Sequence, residues 1–394
     1  MIRIVHLITG LNVGGAERSL AGLLHASDQR RFSHLVISMI RPGPVADDLA
    51  HAGIEVRSLE MNRGRPSLCG AARLVRMLRR LRPQLLHCWM YHANLLGVLA
   101  GKAAGVPRII WGIRSSDRDL SSDSALTRWV VALGGLFSSF ADLITVNSEV
   151  GRRVHENWGY SGSRMTVIHN GVDLDRFKPD QAARRSVRAE LGLSPDAPIV
   201  GLIARYHPMK DHSTFFQAAR LLLRRNQRVH FLLCGNEVTP QNPGLAKRSA
   251  HEGFGSHVHL LGLRHDVSRL TAALDIATSC SVYGEGFSNA LAEAMACGVP
   301  CVATPVGDSP EIVGDTGRLV RCGDPDALAA AWKSILNLSN AERSEMSLRC
   351  RQRIVHHFAM QRTVAAYEAL YDRLSVTSRS CQQRRSKPRP LKSA

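Results

Sequence analysis

Short apolar runs, many of them β-branched, alternate along the chain with segments whose apolar residues recur every three or four positions. Helical patterns such as Ala16–Ala26 and Asn94–Ala104 separate the runs. This alternation predicts a parallel sheet with helices on both faces. The strands predicted in the first half are Ile2–Ile8, Leu35–Met39, Glu55–Leu59, Leu85–Cys88, Arg108–Trp111, Leu143–Val146 and Met165–Ile168.

The pattern stops near residues 170–179 and restarts at Ala197, which predicts a second unit of the same α/β kind. Its first predicted strand lies within Ala197–Arg205, and the further predicted strands are Val229–Cys234, Val258–Leu261, Ile276–Cys280, Cys301–Thr304 and Arg318–Val320. We expect two Rossmann-like domains facing each other across a cleft. The expected divisions are 1–178, 179–358, a final helix over 359–377 and a disordered basic tail over 378–394. Ligands of open parallel sheets bind beyond the carboxyl ends of the strands, so candidate residues should follow strands.

The longest apolar stretch, Trp129–Val146, is interrupted by Ser138, Ser139 and Asp142, and we expect a buried helix that runs into a strand. The nine cysteines are scattered and form no CxxC pair, which argues against a disulfide framework or a zinc site. No signal peptide is recognisable at the start. These features predict a cytoplasmic protein.

The formal net charge is +18, and residues 1–178 carry 23 Lys or Arg against 14 Asp or Glu. The densest basic segment is an amphipathic helix pattern near residues 73–82. We interpret it as a solvated surface helix or as a contact with an anionic membrane through Arg73, Arg76 and Arg80. Aromatic residues make up only 5% and no stacking motif appears, so we expect no nucleic-acid partner.

Two strand ends carry residues suited to anions. The first strand is followed by Gly14 and Gly15, where the backbone can approach a ligand and a helix can offer free N–H groups. The spacing is not the GxGxxG of dinucleotide binders. The first strand of the second unit is followed by Arg205 and Lys210, whose fork and point charge together suit a diphosphate, although a pair of surface charges has the same pattern.

A third segment follows a strand and enters a helix. Glu285 lies in the loop, and Glu293 lies about two turns into the helix among apolar neighbours. The backbone N–H groups of Gly286, Phe287 and Ser288 can receive a phosphate at the helix start. A glutamate at position 293 can accept hydrogen bonds from the two vicinal hydroxyls of a ribose.

Four motifs occur in order: Gly14-Gly15-Ala-Glu17, Asn170-Gly171-Val-Asp173, Arg205-x4-Lys210 and Glu285-x7-Glu293. The chain resembles the retaining GT-B glycosyltransferases of family 4 over about residues 1–375. The segments His87–Gly97 and Trp111–Ser116 look like the branch of bacterial polysaccharide biosynthesis, which makes exopolysaccharide or lipopolysaccharide.

The resemblance implies that the second domain holds a nucleotide-diphosphate sugar. It assigns catalysis to Arg205, Lys210 and Glu285, with the two cations neutralising the leaving diphosphate. The donor-binding residues that it implies are Gly14, Gly15, Asn170, Gly171, Gly286, Phe287, Ser288 and Glu293. Retention through front-face attack requires neither a metal nor another cofactor, and none is expected. The C-terminal helix is expected to return to the first domain.

The chain departs from the resemblance at one point. Many relatives place a histidine just after the strand that here leads to Arg114. His92, Arg114 and Asp117 are therefore our acceptor-side candidates. The expected acceptor is a lipid-linked or polysaccharide sugar at the cytoplasmic face of the membrane. The alternatives are a sugar-nucleotide epimerase of the same fold and a non-catalytic membrane-binding protein with a degenerate site.

Overall fold

A computed structural model describes residues 1–12, 14–65, 67–116, 124–251 and 253–385. The chain forms two compact units. The first contains Met1–Gly171 and the segment that begins at Met360, and the second contains Val172–Ala359. We expected the division after residue 178. In the structure, Val172 already belongs to the second unit, because its backbone N–H donates to the carbonyl of Phe358 at 2.8 Å.

The strands lie close to their predicted positions. In the first unit they are β1 (Ile2–Ile8), β2 (Phe32–Ile40), β3 (Glu55–Met61), β4 (Leu85–Trp89), β5 (Arg108–Ile113), β6 (Leu143–Val146) and β7 (Met165–Val167). In the second unit they are β8 (Ile199–Ile203), β9 (His230–Cys234), β10 (Val258–Leu260), β11 (Ile276–Ser279), β12 (Cys301–Ala303) and β13 (Arg318–Leu319).

The helices fill the intervals between the strands. Numbered along the whole chain, they are α1 (Gly15–Ala26), α2 (Pro44–His51), α3 (Leu68–Leu81), α4 (Tyr91–Ala104), α5 (Ala125–Phe137), α6 (Glu149–Asn157), α7 (Gln181–Glu190), α8 (His212–Leu223), α9 (Pro243–His251), α10 (Val267–Ala272), α11 (Asn289–Ala296), α12 (Ser309–Val313), α13 (Pro325–Leu336), α14 (Asn340–His357) and α15 (Met360–Arg385). Within the described ranges, none of them is long and apolar enough to cross a bilayer.

The first unit has a seven-stranded sheet in the order β3-β2-β1-β4-β5-β6-β7, and its strand pairs are parallel. Its side chains alternate between two apolar layers. Val5 and Leu7 face a core built with α3, α4 and α5. Ile4 and Ile8 face a second core, which contains α1, α2 and the start of α15. The C-terminal helix is therefore part of the first unit, as expected.

The final helix is longer than predicted. We expected it to end near residue 377 and a disordered tail to follow, but α15 continues to Arg385. The first proline of this region is Pro388, so no residue before it breaks a helix. The basic composition of the residues after 377 was therefore not a signal for the end of the helix.

The second unit has a six-stranded parallel sheet in the order β10-β9-β8-β11-β12-β13. A salt-bridge cluster fixes one side of it. Arg188 is 1% exposed and its Nη2 lies 2.7 Å from Asp275 Oδ2, while Arg184 Nη2 lies 2.7 Å from Asp275 Oδ1. The backbone N–H of Ile199 donates to Asp275 as well, at 2.8 Å. These contacts hold α7 against the amino ends of β8 and β11.

Candidate active site

The strand order of the second unit reverses between β8 and β11, because β9 and β10 lie on one side of β8 and β12 and β13 lie beyond β11. Such a reversal leaves a crevice at the carboxyl ends of the two strands. Arg205 and Lys210 follow β8, and Glu285 follows β11. The topology therefore brings the three residues predicted to be catalytic to one end of the sheet.

Lys210 and Glu285 form an ion pair. Glu285 is buried, and its Oε2 also accepts a hydrogen bond from Ser281 Oγ at 3.0 Å. The two loops are joined in their backbones too, since Val282 N–H donates to the carbonyl of Met209 at 2.9 Å. The ammonium group of Lys210 has three donors, so it can keep Glu285 and still bind an anion.

Arg205 differs from Lys210 in its surroundings. Its side chain is exposed and has no hydrogen bond or ion pair with any residue that the structure describes. A guanidinium in this position remains available for a ligand oxygen.

The loop that leads into α11 is closely packed. Gly286, Phe287 and Ser288 are buried, and Ser288 is the N-cap of α11 without a capping bond from its side chain. The first-turn amides therefore receive no cap from that hydroxyl. Glu293 is half-buried and lies a little over one turn into α11, not the two turns expected, because the helix begins only at Asn289.

A glycine in the loop after β12 packs closely against the backbone of Glu285. Gly307 has φ +60°, and a Cβ placed there would lie 2.1 Å from the Glu285 carbonyl oxygen and 2.4 Å from that of Gly286. Asp308 N–H donates to the same Gly286 carbonyl at 2.9 Å. The position of the Glu285 loop thus depends on a residue without a side chain.

The residues after Lys210 hold the other loop. Asp211 adopts φ +42° and caps α8, accepting from Thr214 N–H at 3.1 Å. Left-handed backbone at a non-glycine residue is uncommon, and Asp tolerates it better than most. His212, next to it, is buried, and burial lowers its pKa to about 4, so its ring is neutral near pH 7.

The first unit places its candidates at a similar reversal, between β1 and β4. Gly14 is the N-cap of α1, and a Cβ there would lie 2.3 Å from Glu17 Oε2. Gly14 thereby leaves room for the Glu17 carboxylate, whose pKa is raised by burial. Gly15 begins the helix, as predicted. His92 is half-buried in the first turn of α4 and lies two residues after Met90, the N-cap of that helix, whose φ of +74° is unusual for a bulky residue.

Arg114 contacts three other side chains of the first unit. Its guanidinium donates to Asn170 Oδ1 and, at 2.7 Å, to Tyr367 Oη on α15. It also lies over the ring of Trp89, 4.7 Å from the centroid. Arg114 and Asn170, predicted for different roles, are therefore in direct contact.

Gly171 and Asp117 are the remaining candidates of the first unit. Gly171 packs so closely on the start of α15 that a Cβ would lie 2.6 Å from Met360 Cα. This close packing requires glycine at position 171, whether or not the residue also contacts a ligand. Asp117 lies outside the described residues.

The sequence analysis missed a buried polar network beside Arg114. His87 Nδ1 is 2.9 Å from Tyr371 Oη, and His6 Nε2 is 3.0 Å from His34 Nδ1. Trp89 Nε1 donates to His6 Nδ1 at 3.2 Å, and the Trp89 ring packs on the His87 ring with centroids 4.5 Å apart, so Trp89 contacts both pairs. Burial is the largest cause that lowers the pKa of His6, His34 and His87. The three histidines lie one each in β1, β2 and β4, so no local pattern of the sequence indicated that they meet.

Comparison with known protein families identifies the family of this chain. Glycosyltransferase Family 4 matches residues 13–176, and the glycosyl transferases group 1 match residues 197–338. The chain belongs to this glycosyltransferase family. It is 33% identical over 256 residues to the D-inositol 3-phosphate glycosyltransferases of Mycobacterium bovis and Mycobacterium tuberculosis, covering 62% of this chain. The match spans about half the length, 51%, of those curated relatives.

Solved structures of similar architecture include HepE of Anabaena in complex with UDP and glucose, with a TM-score of 0.82 and 22% identity over 94% of this chain and 100% of that one. A glycosyltransferase from Rickettsia africae has a TM-score of 0.80 and 16% identity over 95% of this chain and 98% of that one. At these identities the likeness concerns the fold alone. The fold of this glycosyltransferase-family chain is GT-B, with two Rossmann-like units.

Proposed function

We propose that the chain is a retaining glycosyltransferase that moves a sugar from a nucleotide-diphosphate sugar to an acceptor. The observation that carries the proposal is the Lys210–Glu285 ion pair at the reversal point of the second sheet, with the exposed Arg205 on the same loop as Lys210. Two cations and a buried carboxylate at this position suit a diphosphate with a sugar attached.

The donor lies, in this proposal, against the second unit. Arg205 and Lys210 bind the diphosphate, and the amides of Gly286, Phe287 and Ser288 add hydrogen bonds from the start of α11. Glu293 accepts from the ribose hydroxyls. HepE, which shares the fold, was crystallised with UDP and with UDP-glucose, so these two ligands are the first to test. From the resemblance, we assign Gly14, Gly15, Asn170 and Gly171 to donor binding as well.

The proposed chemistry depends on the leaving group. As the bond between the sugar and the diphosphate breaks, negative charge grows on the phosphate oxygens, and preorganised cations stabilise that charge. Arg205 and Lys210 supply this positive charge in place of a divalent ion. The leaving phosphate takes the proton of the acceptor hydroxyl on the same face of the sugar, which retains the anomeric configuration. Glu285 positions the Lys210 ammonium and contacts the transferred sugar.

The acceptor side of the proposal rests on the first unit. His92 and Arg114 are assigned to the acceptor, which we propose to be a lipid-linked or polysaccharide sugar presented at the inner face of the membrane. The exposed side chains of Arg73, Arg76 and Arg80 on α3 give this unit a basic surface for anionic headgroups.

A thermal-shift screen of the purified protein against UDP, GDP, ADP and their sugar conjugates, with EDTA present, tests the donor site. A ligand at 100 times its dissociation constant adds about 2.7 kcal/mol to the free energy of unfolding. We expect one nucleotide to raise the melting temperature of the wild type and not that of Lys210→Ala or Glu293→Ala. Lys333→Ala, which removes an exposed lysine of α13, is the matched control.

The outcomes separate the alternatives. Release of nucleotide that depends on an added acceptor supports transfer. Conversion of the bound conjugate into its epimer, without release of nucleotide, would assign the epimerase activity instead. No shift with any nucleotide would contradict the donor site.

A further inference from the structure

The helix α5 exposes a continuous apolar stripe. Trp129 is 69% exposed and Leu136 is 74% exposed, and Phe140, just beyond the helix, is 53% exposed. Leu133 lies between them, and the spacing of three or four positions puts all four side chains on one face. Arg128 is the only charged residue of the helix. We expected this segment to be buried, but only its opposite face is.

The opposite face of α5 is fixed in place. It consists of Val130, Val131, Gly134 and Gly135, all buried. A Cβ at position 134 would lie 2.2 Å from the Tyr160 hydroxyl, and that hydroxyl donates to the Val131 carbonyl at 3.0 Å.

The adjoining turn adds to this anchor. Ser138 Oγ donates to the Gly135 carbonyl at 2.7 Å and accepts from Ser161 N–H at 2.9 Å. The small side of the helix is thus locked against the sheet. The helix therefore cannot rotate about its axis to bury the exposed stripe, although burial of these apolar side chains would be favourable.

The stripe belongs to a basic surface. The helices α3, α4 and α5 cover the same face of the first sheet, and α4 contacts both of the others. Arg79 of α3 donates to the Ala103 carbonyl of α4 at 3.0 Å, and Arg76 and Arg80 are exposed on α3. Lys102 and Leu99 are exposed on α4, between the arginines and the stripe.

We propose that this three-helix face docks on an anionic membrane and that the α5 stripe, led by Trp129, enters the interfacial region of the bilayer. Apolar side chains with a tryptophan, flanked by Lys and Arg, are the composition that binds such an interface. The charge complementarity of α3 and Lys102 selects anionic headgroups as the partner. The inference concerns insertion by α5 and stands independently of sugar transfer.

Trp129 provides the probe for a direct test. Of the five tryptophans, all of which lie in the described ranges, it alone is exposed. We expect vesicles of phosphatidylcholine with phosphatidylglycerol to shift the emission of the full chain to shorter wavelength. Lipids brominated on their acyl chains should quench that emission. Trp129→Phe should abolish both changes, and vesicles of phosphatidylcholine alone should bind more weakly.

Co-sedimentation with the same vesicles measures the affinity. The double variant Leu136→Ser with Phe140→Ser should weaken binding about tenfold, because each side chain loses part of its transfer free energy into the bilayer. Leu348→Ser is the matched control, since Leu348 is an exposed leucine of the second unit, 57% exposed. Unfolding in urea confirms that all variants are folded.

Two results would overturn the proposal. One is equal binding by the double variant and the wild type, with no quenching of Trp129. The other is a concentration-dependent dimer, seen by light scattering and lost in the double variant, without vesicle binding. The second result would assign the stripe to a second copy of the chain.

Discussion

The guanidinium of Arg114 donates a hydrogen bond to the hydroxyl of Tyr367 at 2.7 Å, across 253 positions of the chain. Arg114 follows β5, and Tyr367 lies on the C-terminal helix, so this contact sets the orientation of a proposed acceptor residue from the far end of the sequence. The aromatic ring of Trp89 holds the other side of the guanidinium.

Tyr367→Phe keeps the ring and removes this hydrogen bond. We expect a loss of about 1 kcal/mol in the free energy of unfolding, measured in urea, and a lower rate of transfer with unchanged nucleotide binding. Tyr160→Phe is the control, because it removes a buried tyrosine hydroxyl bonded to the Val131 carbonyl in the same unit. An equal loss of transfer in both variants would show that stability alone accounts for the effect.

Gly307→Ala should displace the loop of Glu285. The new Cβ would lie 2.1 Å from the Glu285 carbonyl, so either the loop moves or the two backbones separate. We expect the nucleotide-induced thermal shift to fall strongly. Gly323→Ala is the matched control, since Gly323 has a similar φ of +68° but no atom within 4 Å of the added Cβ. It should cost about 1 kcal/mol and leave nucleotide binding intact.

Asp275→Ala should destabilise the second unit. It leaves the buried guanidinium of Arg188 without its carboxylate, and breaking a buried ion pair in this way costs about 3–5 kcal/mol. Urea unfolding measures the change. In the control, Asp315→Ala removes a carboxylate that is 75% exposed and pairs with Arg349, which should cost less than about 1 kcal/mol. Similar losses for the two variants would contradict this account.

Stability should fall on acidification between about pH 6.5 and pH 4. Burial lowers the pKa of His34 from 6.5 to about 4, so in this window the unfolded chain binds a proton that the folded protein does not. The contribution is fully present above the unfolded pKa and is lost as the pH falls to the folded value, amounting to about 3 kcal/mol for this group. His34→Asn should reduce the pH dependence of urea unfolding, whereas the exposed control His51→Asn should leave it unchanged.

The strands were predictable because each is a short β-branched run bounded by polar or glycine-rich residues. The segment Leu143–Val146, for example, was predicted at its observed bounds. Since parallel strands end at one edge of a sheet, this also placed Arg205, Lys210 and Glu285 near one another. Their family motif named them, and the strand order brings them together.

Contacts between distant segments could not be predicted. Nothing in the local sequence around Arg114 indicates Tyr367, and nothing around His6 indicates His34. The sequence did not indicate which face of α5 is exposed either, because the helix is apolar on both sides. Its outward face is decided by the space that Gly134 leaves for Tyr160.

The assignment of α15 to the first unit has a consequence during synthesis. Val364, Tyr367, Leu370 and Tyr371 belong to the same core as β1 and α1, so that core cannot close until residue 371 has left the ribosome. The 188 residues of Val172–Ala359 are made in between, which takes roughly 10 to 40 seconds at about 5–20 residues per second. A nascent chain can therefore complete its second unit first, while residues 1–171 still lack the packing of α15.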